Sequence, residues 1–321
     1  MIQFIKPRSD NLKLAISSIL IGVFALALGD ALIKKSNASF VIWQIFILRS
    51  ILAIPLLTFF LTKLIPLHLP ERSPVFWKVF MLGLMPKQLV WTLTRSALLV
   101  IMWLIYYMAL PKVDLSIAAA SFYTLPIFIT LFAALFLAER VGLGGWIAVV
   151  MGFCGVLLIL RPQAENFNAY ALLPIMSAIL YALGMILTRS KCRNENPMIL
   201  SLWMNVTFII VGVIASLLIF LFPPNEEIRQ SNLFLFGDWP PMNFSAWSDM
   251  TILAVALLTG SVGAAIAYQA GPASTIAIFD FSYVAFAIIW GMLFFNETLD
   301  FITIIGIIMI VTGGMLSTRL N

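Results

Sequence analysis

The stretch Leu110–Val141, "LPKVDLSIAAASFYTLPIFITLFAALFLAERV", decides the fold because it has a counterpart elsewhere in the chain. Laid without gaps on Tyr268–Leu299, "YQAGPASTIAIFDFSYVAFAIIWGMLFFNETL", it matches at Ser116/Ser274, Ala119/Ala277, Phe128/Phe286, Phe136/Phe294 and Glu139/Glu297. The offset is 297 − 139 = 158 residues, nearly half of the 321-residue chain. Further on, Met151/Met309, Gly155/Gly313 and Arg161/Arg319 keep the same register. Apolar helices share Phe and Met readily, so the glutamate, glycine and arginine at equivalent boundaries carry the weight. The triplet "ALG" at Ala27–Gly29 also recurs at Ala182–Gly184, an offset of 155, followed by Leu32/Leu187 and the bases Lys34/Arg189.

Composition sets the solvent. Hydrophobic residues make up 62% of the chain and charged residues only 10%, against about 25% charged in a soluble domain. Mean hydropathy is +1.05. That much apolar surface needs a medium that accepts it on all sides, so the chain reads as a polytopic membrane protein. The expected fold class is an all-α integral membrane protein. Ten apolar runs are long enough to cross: Leu14–Ile33, Phe40–Leu61, Leu93–Leu110, Leu115–Leu137, Gly144–Leu160, Ala169–Leu187, Met198–Phe222, Ile252–Gln269, Ile276–Phe295 and Phe301–Ser317. Pro74–Trp91 is apolar too, but Lys78, Pro86 and Lys87 interrupt it, and it reads as an interfacial segment. The first run ends in "GDALIKK" rather than a small-residue cleavage site and is read as a retained span.

The repeat divides these runs into two sets of five, in residues 14–161 and 168–319. Five is odd, so the second set enters the membrane inverted relative to the first, a plan that recurs in secondary transporters with a site near the midplane. Twelve of the 19 Lys and Arg fall on the side that holds both termini and five on the other, with Arg49 and Arg95 inside spans. The bias predicts cytoplasmic termini in a bacterial inner membrane. The connection 223–249, rich in Trp and Phe, then lies outside, as an interface anchor or as a lid.

At this point "YYMALPKVDLSIAAASFYTLPIFITLFAALFLAERVGLGGWIAVVMGFCGVLLILRP" resembles the EamA domain of the drug/metabolite transporter superfamily. The carrying elements are the Tyr-x-Ala-Leu lead-in, the mid-helix proline, the "LFLAER" helix end and the "GxxGVLLxLRP" helix. "FDFSYVAFAIIWGMLFFNETLDFITIIGIIMIVTGGML" is similar to the matching second EamA domain. The Phe-Asp-Phe start of the ninth span is similar to a branch that holds S-adenosylmethionine and riboflavin transporters. The resemblance implies a ten-helix bundle with a central cavity lined by spans one, three, four, six, eight and nine, and an alternating-access cycle.

Several residues in the spans are candidates for the site. Asp280, within the ninth span, is a candidate contact for a substrate amine or a coupling proton, or a structural charge paired with Arg49. Arg49, near the middle of the second span, is an intramembrane charge that needs a partner or a cavity. Asp30 and Arg95, nearer span ends, are expected to reach the interface. Pro126 removes a backbone donor and predicts a kink in the fourth span, while Val284 stands at the equivalent second-half position, so the two halves are not expected to be functionally symmetric there. Tyr123, Tyr268, Tyr283, Trp103, Tyr107, Tyr181 and Gln269 supply aromatic or polar groups suited to an organic solute. Ala148, Gly152, Gly155, Gly306, Gly313 and Gly314 allow close helix packing within the fold or between two copies, which leaves a homodimer open. Glu139 and Glu297 are expected to end their helices and tie them to the next turn.

The remaining function classes find little in the sequence. His68 is the only histidine, and Cys154 and Cys192 lie at different depths, so neither a metal site nor a disulfide is expected. No phosphate-cradling lysine motif is present, no carboxylate pair stands at catalytic spacing, and the bases form no patch for nucleic acid. A membrane enzyme and a sensory or scaffold protein are the alternatives. The reading that remains is a secondary transporter of a small organic metabolite, such as an amino acid or a nucleoside-like or vitamin-like solute. Its expected partners are substrate and membrane lipid, with transport either facilitated or coupled to a proton, and no cofactor.

Overall fold

The computed structural model describes residues 10–36, 40–64, 83–160, 168–296 and 300–320. The described residues are helical, with no strand among them. Helices α1 (Leu12–Ser36), α2 (Ile42–Leu64) and α3 (Leu89–Ala109) are followed by a pair, α4 (Leu115–Phe122) and α5 (Leu125–Leu137), and by α6 (Leu143–Leu160). The second set is α7 (Leu172–Ser190), α8 (Pro197–Leu221), two short helices α9 (Glu226–Ser231) and α10 (Leu233–Phe236), then α11 (Phe244–Ala270), the pair α12 (Ala273–Asp280) and α13 (Ser282–Phe295), and α14 (Phe301–Leu320). Asparagine side chains start three of the long helices by accepting an orphan backbone N–H. Asn11 accepts from Leu14 at 3.1 Å, Asn196 from Met198 at 2.9 Å ahead of Pro197, and Asn243 from Ala246 at 2.8 Å.

Seven helical segments among the described residues are long and apolar enough to cross a membrane. They are Leu12–Lys35, Ile42–Thr62, Leu89–Ala109, Ala169–Ser190, Pro197–Leu221, Phe244–Ala270 and Ala273–Phe295, the last running through the α12–α13 break. Leu125–Leu137 and Leu143–Gly155 are shorter apolar helices. His68, residues 74–82 of the Pro74–Trp91 segment and Glu297 lie outside the described residues.

The offset of 158 seen in the sequence reappears in the backbone. The paired helices break after Phe122 and again after Asp280, and 280 − 122 = 158. Both pairs end on a left-handed residue, Ala138 and Asn296, each with φ 52°, and no other described residue has a positive φ. Each of these caps donates its N–H five residues back, to the Ala133 and Gly291 carbonyls. The first break was expected from Pro126. In the structure Pro126 sits in the first turn of α5, a position that tolerates it, while α13 begins at the same place with Val284 and no proline. The backbone break is therefore common to both pairs, and the functional difference expected from Val284 is a separate matter. Hydroxyls satisfy the loosened carbonyls at both breaks: Thr124 donates to Ser121 O at 3.1 Å and Ser282 to Phe279 O at 2.7 Å.

Helix partners exchange in the same way. α1 packs on α11, α12 and α13, and α7 packs on α3, α4 and α5, while α2 meets α8 and α6 meets α14. Small residues set the approach. A Cβ at Gly263 would stand 2.7 Å from the Ser18 carbonyl oxygen, so α1 and α11 touch through backbone. This close packing brings α1, α3, α7 and the two broken pairs around one centre, where the aromatic residues of the core collect.

Candidate functional site

At that centre lies a narrow cavity with room for about one water. Its lining includes Asp30 on α1, Trp103 on α3, Tyr123 in the first break, Tyr181 on α7, and Asp280 and Tyr283 flanking the second break. The α-helical face of α1 puts Leu26 and Asp30 one turn apart, and both face inward. Tyr123 and Phe281 are the equivalent residues of the two breaks, since 281 − 123 = 158, and their rings lie 6.0 Å apart. Tyr123 also stacks on Tyr283 at 5.0 Å. The breaks of the two pairs thus meet face to face through aromatic rings.

Each buried carboxylate in the cavity is held by a phenol. Tyr268 on α11 donates to Asp280 Oδ2 at 2.5 Å. Tyr283 donates to Asp30 Oδ2, and the Tyr283 and Tyr106 hydroxyls are 3.0 Å apart. Tyr107, on the same turn of α3, faces Asp30 and Arg49 electrostatically. An ionised carboxylate at this depth is expensive unless such donors replace water. The arrangement therefore presents two acceptor groups, polarised by phenols and enclosed by rings, to whatever enters between the breaks.

A second narrow cavity adjoins the first and shares Leu26, Trp103 and Tyr181 with it. Arg49 and Arg95 line it, with Met102, Met185 and Met204. Arg49 lies over the Phe208 ring at 3.9 Å and near Phe46 at 5.4 Å. Arg95 donates from Nε to Thr188 Oγ1 at 2.6 Å, and Thr188 in turn donates to Gly184 O.

The candidate residues thus divide by place. Asp280, Tyr123, Tyr283, Trp103 and Tyr181 line the first cavity, Tyr268 reaches it through Asp280, and Tyr107 stands behind Asp30. Gln269 goes elsewhere: its Nε2 donates to the Cys192 and Glu195 carbonyls at 2.8 and 2.9 Å, tying the α7–α8 connection to the end of α11. The proposed Asp280–Arg49 pair does not form; Asp280 turns to Tyr268, and Arg49 to aromatic rings. Asp30 and Arg95 were expected at the interface and are instead 1% exposed. Each has a polar partner within the bundle, Tyr283 for Asp30 and Thr188 for Arg95. The signal for Asp30 was its position one turn after Leu26 and Ala27 on the buried face of α1. Tyr106, absent from the sequence candidates, closes the hydroxyl chain to Tyr283.

One end of the bundle is closed by charge. The Glu139 carboxylate accepts from the Ala273 and Ser274 backbone N–H groups at 3.2 Å each and from the Ser274 hydroxyl at 2.9 Å. Glu139 was expected to secure its own helix end; it also caps α12 from the other set of helices. Arg189 Nε stands 3.8 Å from Glu139, and the Arg189 guanidinium binds Asp10 through both terminal nitrogens at 3.0 and 3.1 Å. Hydrogen bonding to Arg189 holds the Asp10 carboxyl below its ordinary value. At the 223–249 connection, Trp43 Nε1 donates to Leu235 O and Gln44 Nε2 to Pro240 O, at 2.9 and 3.0 Å, which fastens that segment over the start of α2. Trp239 and Trp247 remain exposed there.

Comparison with known proteins gives a consistent picture. Residues 13–161 and again 168–319 match the EamA-like transporter family. A riboflavin transporter of Rhizobium johnstonii is 32% identical over 56% of this chain and 53% of its own length, so the chain spans about half of that protein. A pseudopaline exporter of Pseudomonas aeruginosa is 22% identical over 97% of this chain and 98% of its own. A solved crystal structure superposes with a TM-score of 0.66 over 98% of this chain and 100% of that one, at 15% identity, a likeness of fold alone.

Proposed function

The chain belongs to the EamA-like transporter family, and we propose that it moves a small organic metabolite across the bacterial cytoplasmic membrane by alternating access. In this reading ten spans form two inverted five-helix repeats, 14–161 and 168–319, with both termini in the cytoplasm and the 223–249 connection outside. The charge bias of the loops supports that orientation. The exchange of helix partners under one offset supports two halves that can trade conformations.

The observation that carries the reading is the meeting of the two helix breaks at Tyr123, Phe281 and Tyr283, with Asp30 and Asp280 held beside them by phenols. Broken helices at membrane depth are tolerated where they line a cavity. Acids beside them are default sites for a substrate cation or a coupling proton. We assign Asp280 that role, with Tyr268 orienting its carboxylate and the surrounding rings enclosing the solute. The Glu139–Arg189–Asp10 cluster closes the cytoplasmic end between halves, so that the narrow cavity belongs to a shut conformation.

Uptake by the purified protein in proteoliposomes tests this. Labelled amino acids, S-adenosylmethionine, riboflavin and nucleosides are supplied outside with and without a proton gradient. Saturable accumulation of one class above protein-free vesicles is expected. Permeability no greater than that of empty vesicles for every class would overturn the reading.

A further inference from the structure

The second cavity has a chemistry that the paired acids do not use. Arg49 is 3% exposed and Arg95 1%, and both line it. Arg49 Nε and Nη2 and Arg95 Nη1 have no hydrogen-bond partner among the described residues. Neither guanidinium forms an ion pair with a described carboxylate, and no acid lines this cavity. The rest of the wall is methionine, leucine and small residues, with Trp103 and Tyr181 separating it from the acidic cavity.

Guanidinium groups buried inside a membrane are unfavourable, and buried donors left without acceptors add to that. Packing explains part of Arg49, whose plane rests on Phe208, but a ring satisfies no in-plane N–H. Thr188 takes one donor of Arg95 and leaves another. Two such side chains, on different helices and with free donors at one cavity, are a site for a group that brings its own negative charge and several acceptor oxygens. Arginine suits this because its planar fork matches carboxylate and phosphate.

We propose that Arg49 and Arg95 form an oxyanion subsite, and that the transported solute carries a carboxylate or phosphate which this pair recognises. The inference rests on the transport reading above and narrows its substrate class. The anionic group lies on the Arg49–Arg95 side of Trp103 and Tyr181, and any cationic group of the same solute lies on the Asp280 side. A solute without an oxyanion leaves the arginine donors unmet and binds weakly. Three flexible methionines, beside three leucines, give the wall the freedom to widen around a bound solute.

The test uses matched pairs that differ in the oxyanion: riboflavin against its 5′-phosphate, and S-adenosylmethionine against its decarboxylated form. Binding to the purified full chain is read by thermal stabilisation, and uptake in proteoliposomes is read separately. The member that carries the oxyanion is expected to bind at least about tenfold more tightly within a pair, the scale of one charge-assisted hydrogen bond. Arg49→Gln and Arg95→Gln are expected to bring that ratio toward unity while the member without the oxyanion still binds. Arg49→Lys and Arg95→Lys, which keep the charge without the fork, are expected to recover part of it. Equal affinity within both pairs in the unmodified protein would overturn the subsite, as would a ratio unchanged in both Gln variants. Preferential binding of the oxyanion-bearing members without uptake would support the subsite and overturn the transport reading instead.

Discussion

Leu99 fills the space above Gly184, and Leu257, 158 residues further on, fills the space above Gly29, 155 residues back. A Cβ at Gly184 would stand 2.8 Å from Leu99 Cδ2, and one at Gly29 would stand 2.9 Å from Leu257 Cδ2. The glycine of each "ALG" triplet therefore exists to admit a leucine of the opposite set. Because the obstacle is a flexible tip, Gly184→Ala is expected to be near neutral, with helix propensity offsetting the shift. Gly184→Val is expected to destabilise by about 1–3 kcal/mol, the range for overpacking. Adding Leu99→Ala is expected to recover part of that loss. Thermal unfolding in detergent of both single variants and the double variant measures the coupling.

Glu139 caps α12 across the interface between the two helix sets. Glu139→Ala removes the acceptor of three hydrogen bonds and is expected to lower stability by about 0.5–2 kcal/mol, as for lost helix caps. Glu139→Gln keeps one acceptor oxygen and is expected to lose less. An Ala variant as stable as the parent would show that the carboxylate contributes nothing at this end.

Pro126 is dispensable for the break between α4 and α5, because α12 and α13 break at the equivalent place with Val284. Pro126→Val is expected to change stability by less than about 1 kcal/mol, since proline at a helix start supplies mainly rigidity. Uptake near the parental rate is expected as well. A large loss in either assay would assign the break to the proline ring.

Asp280 is the proposed coupling or substrate-binding acid. Asp280→Asn keeps an acceptor for Tyr268 but removes the charge, and is expected to reduce uptake at least about tenfold, the scale of a lost charged hydrogen bond. It is also expected to abolish the dependence of uptake on external pH. Unchanged uptake with an unchanged pH profile would remove Asp280 from the mechanism.

Much of this architecture could be read from residue order alone. The 158-residue register aligned Glu139 with Glu297, and Pro126 placed a kink, but the second break, after Asp280 and without a proline, and the matching left-handed caps came only from the structure. The register could align the two acids because helix ends need particular residues at particular turns. The site was less legible. Hydropathy places Asp30 and Arg95 by their distance from a span end, whereas their burial depends on which face meets another helix. Tyr283 and Thr188 decide that, and both are remote in sequence. Gln269 looked like a ligand-binding amide for the same reason. Only tertiary packing shows that two carbonyls of a connecting turn consume its donors.

The central claim is that the two halves lie in the membrane with opposite orientation. It is tested most directly by single cysteines placed at Arg140 and Asp300, on the connections that follow the two broken pairs, after Cys154 and Cys192 have been replaced. A membrane-impermeant maleimide applied to intact cells is expected to label the cysteine at 300 and to reach the one at 140 only after permeabilisation. Labelling of both positions from the same side would contradict the inverted arrangement, and with it the exchange of halves on which the transport mechanism depends.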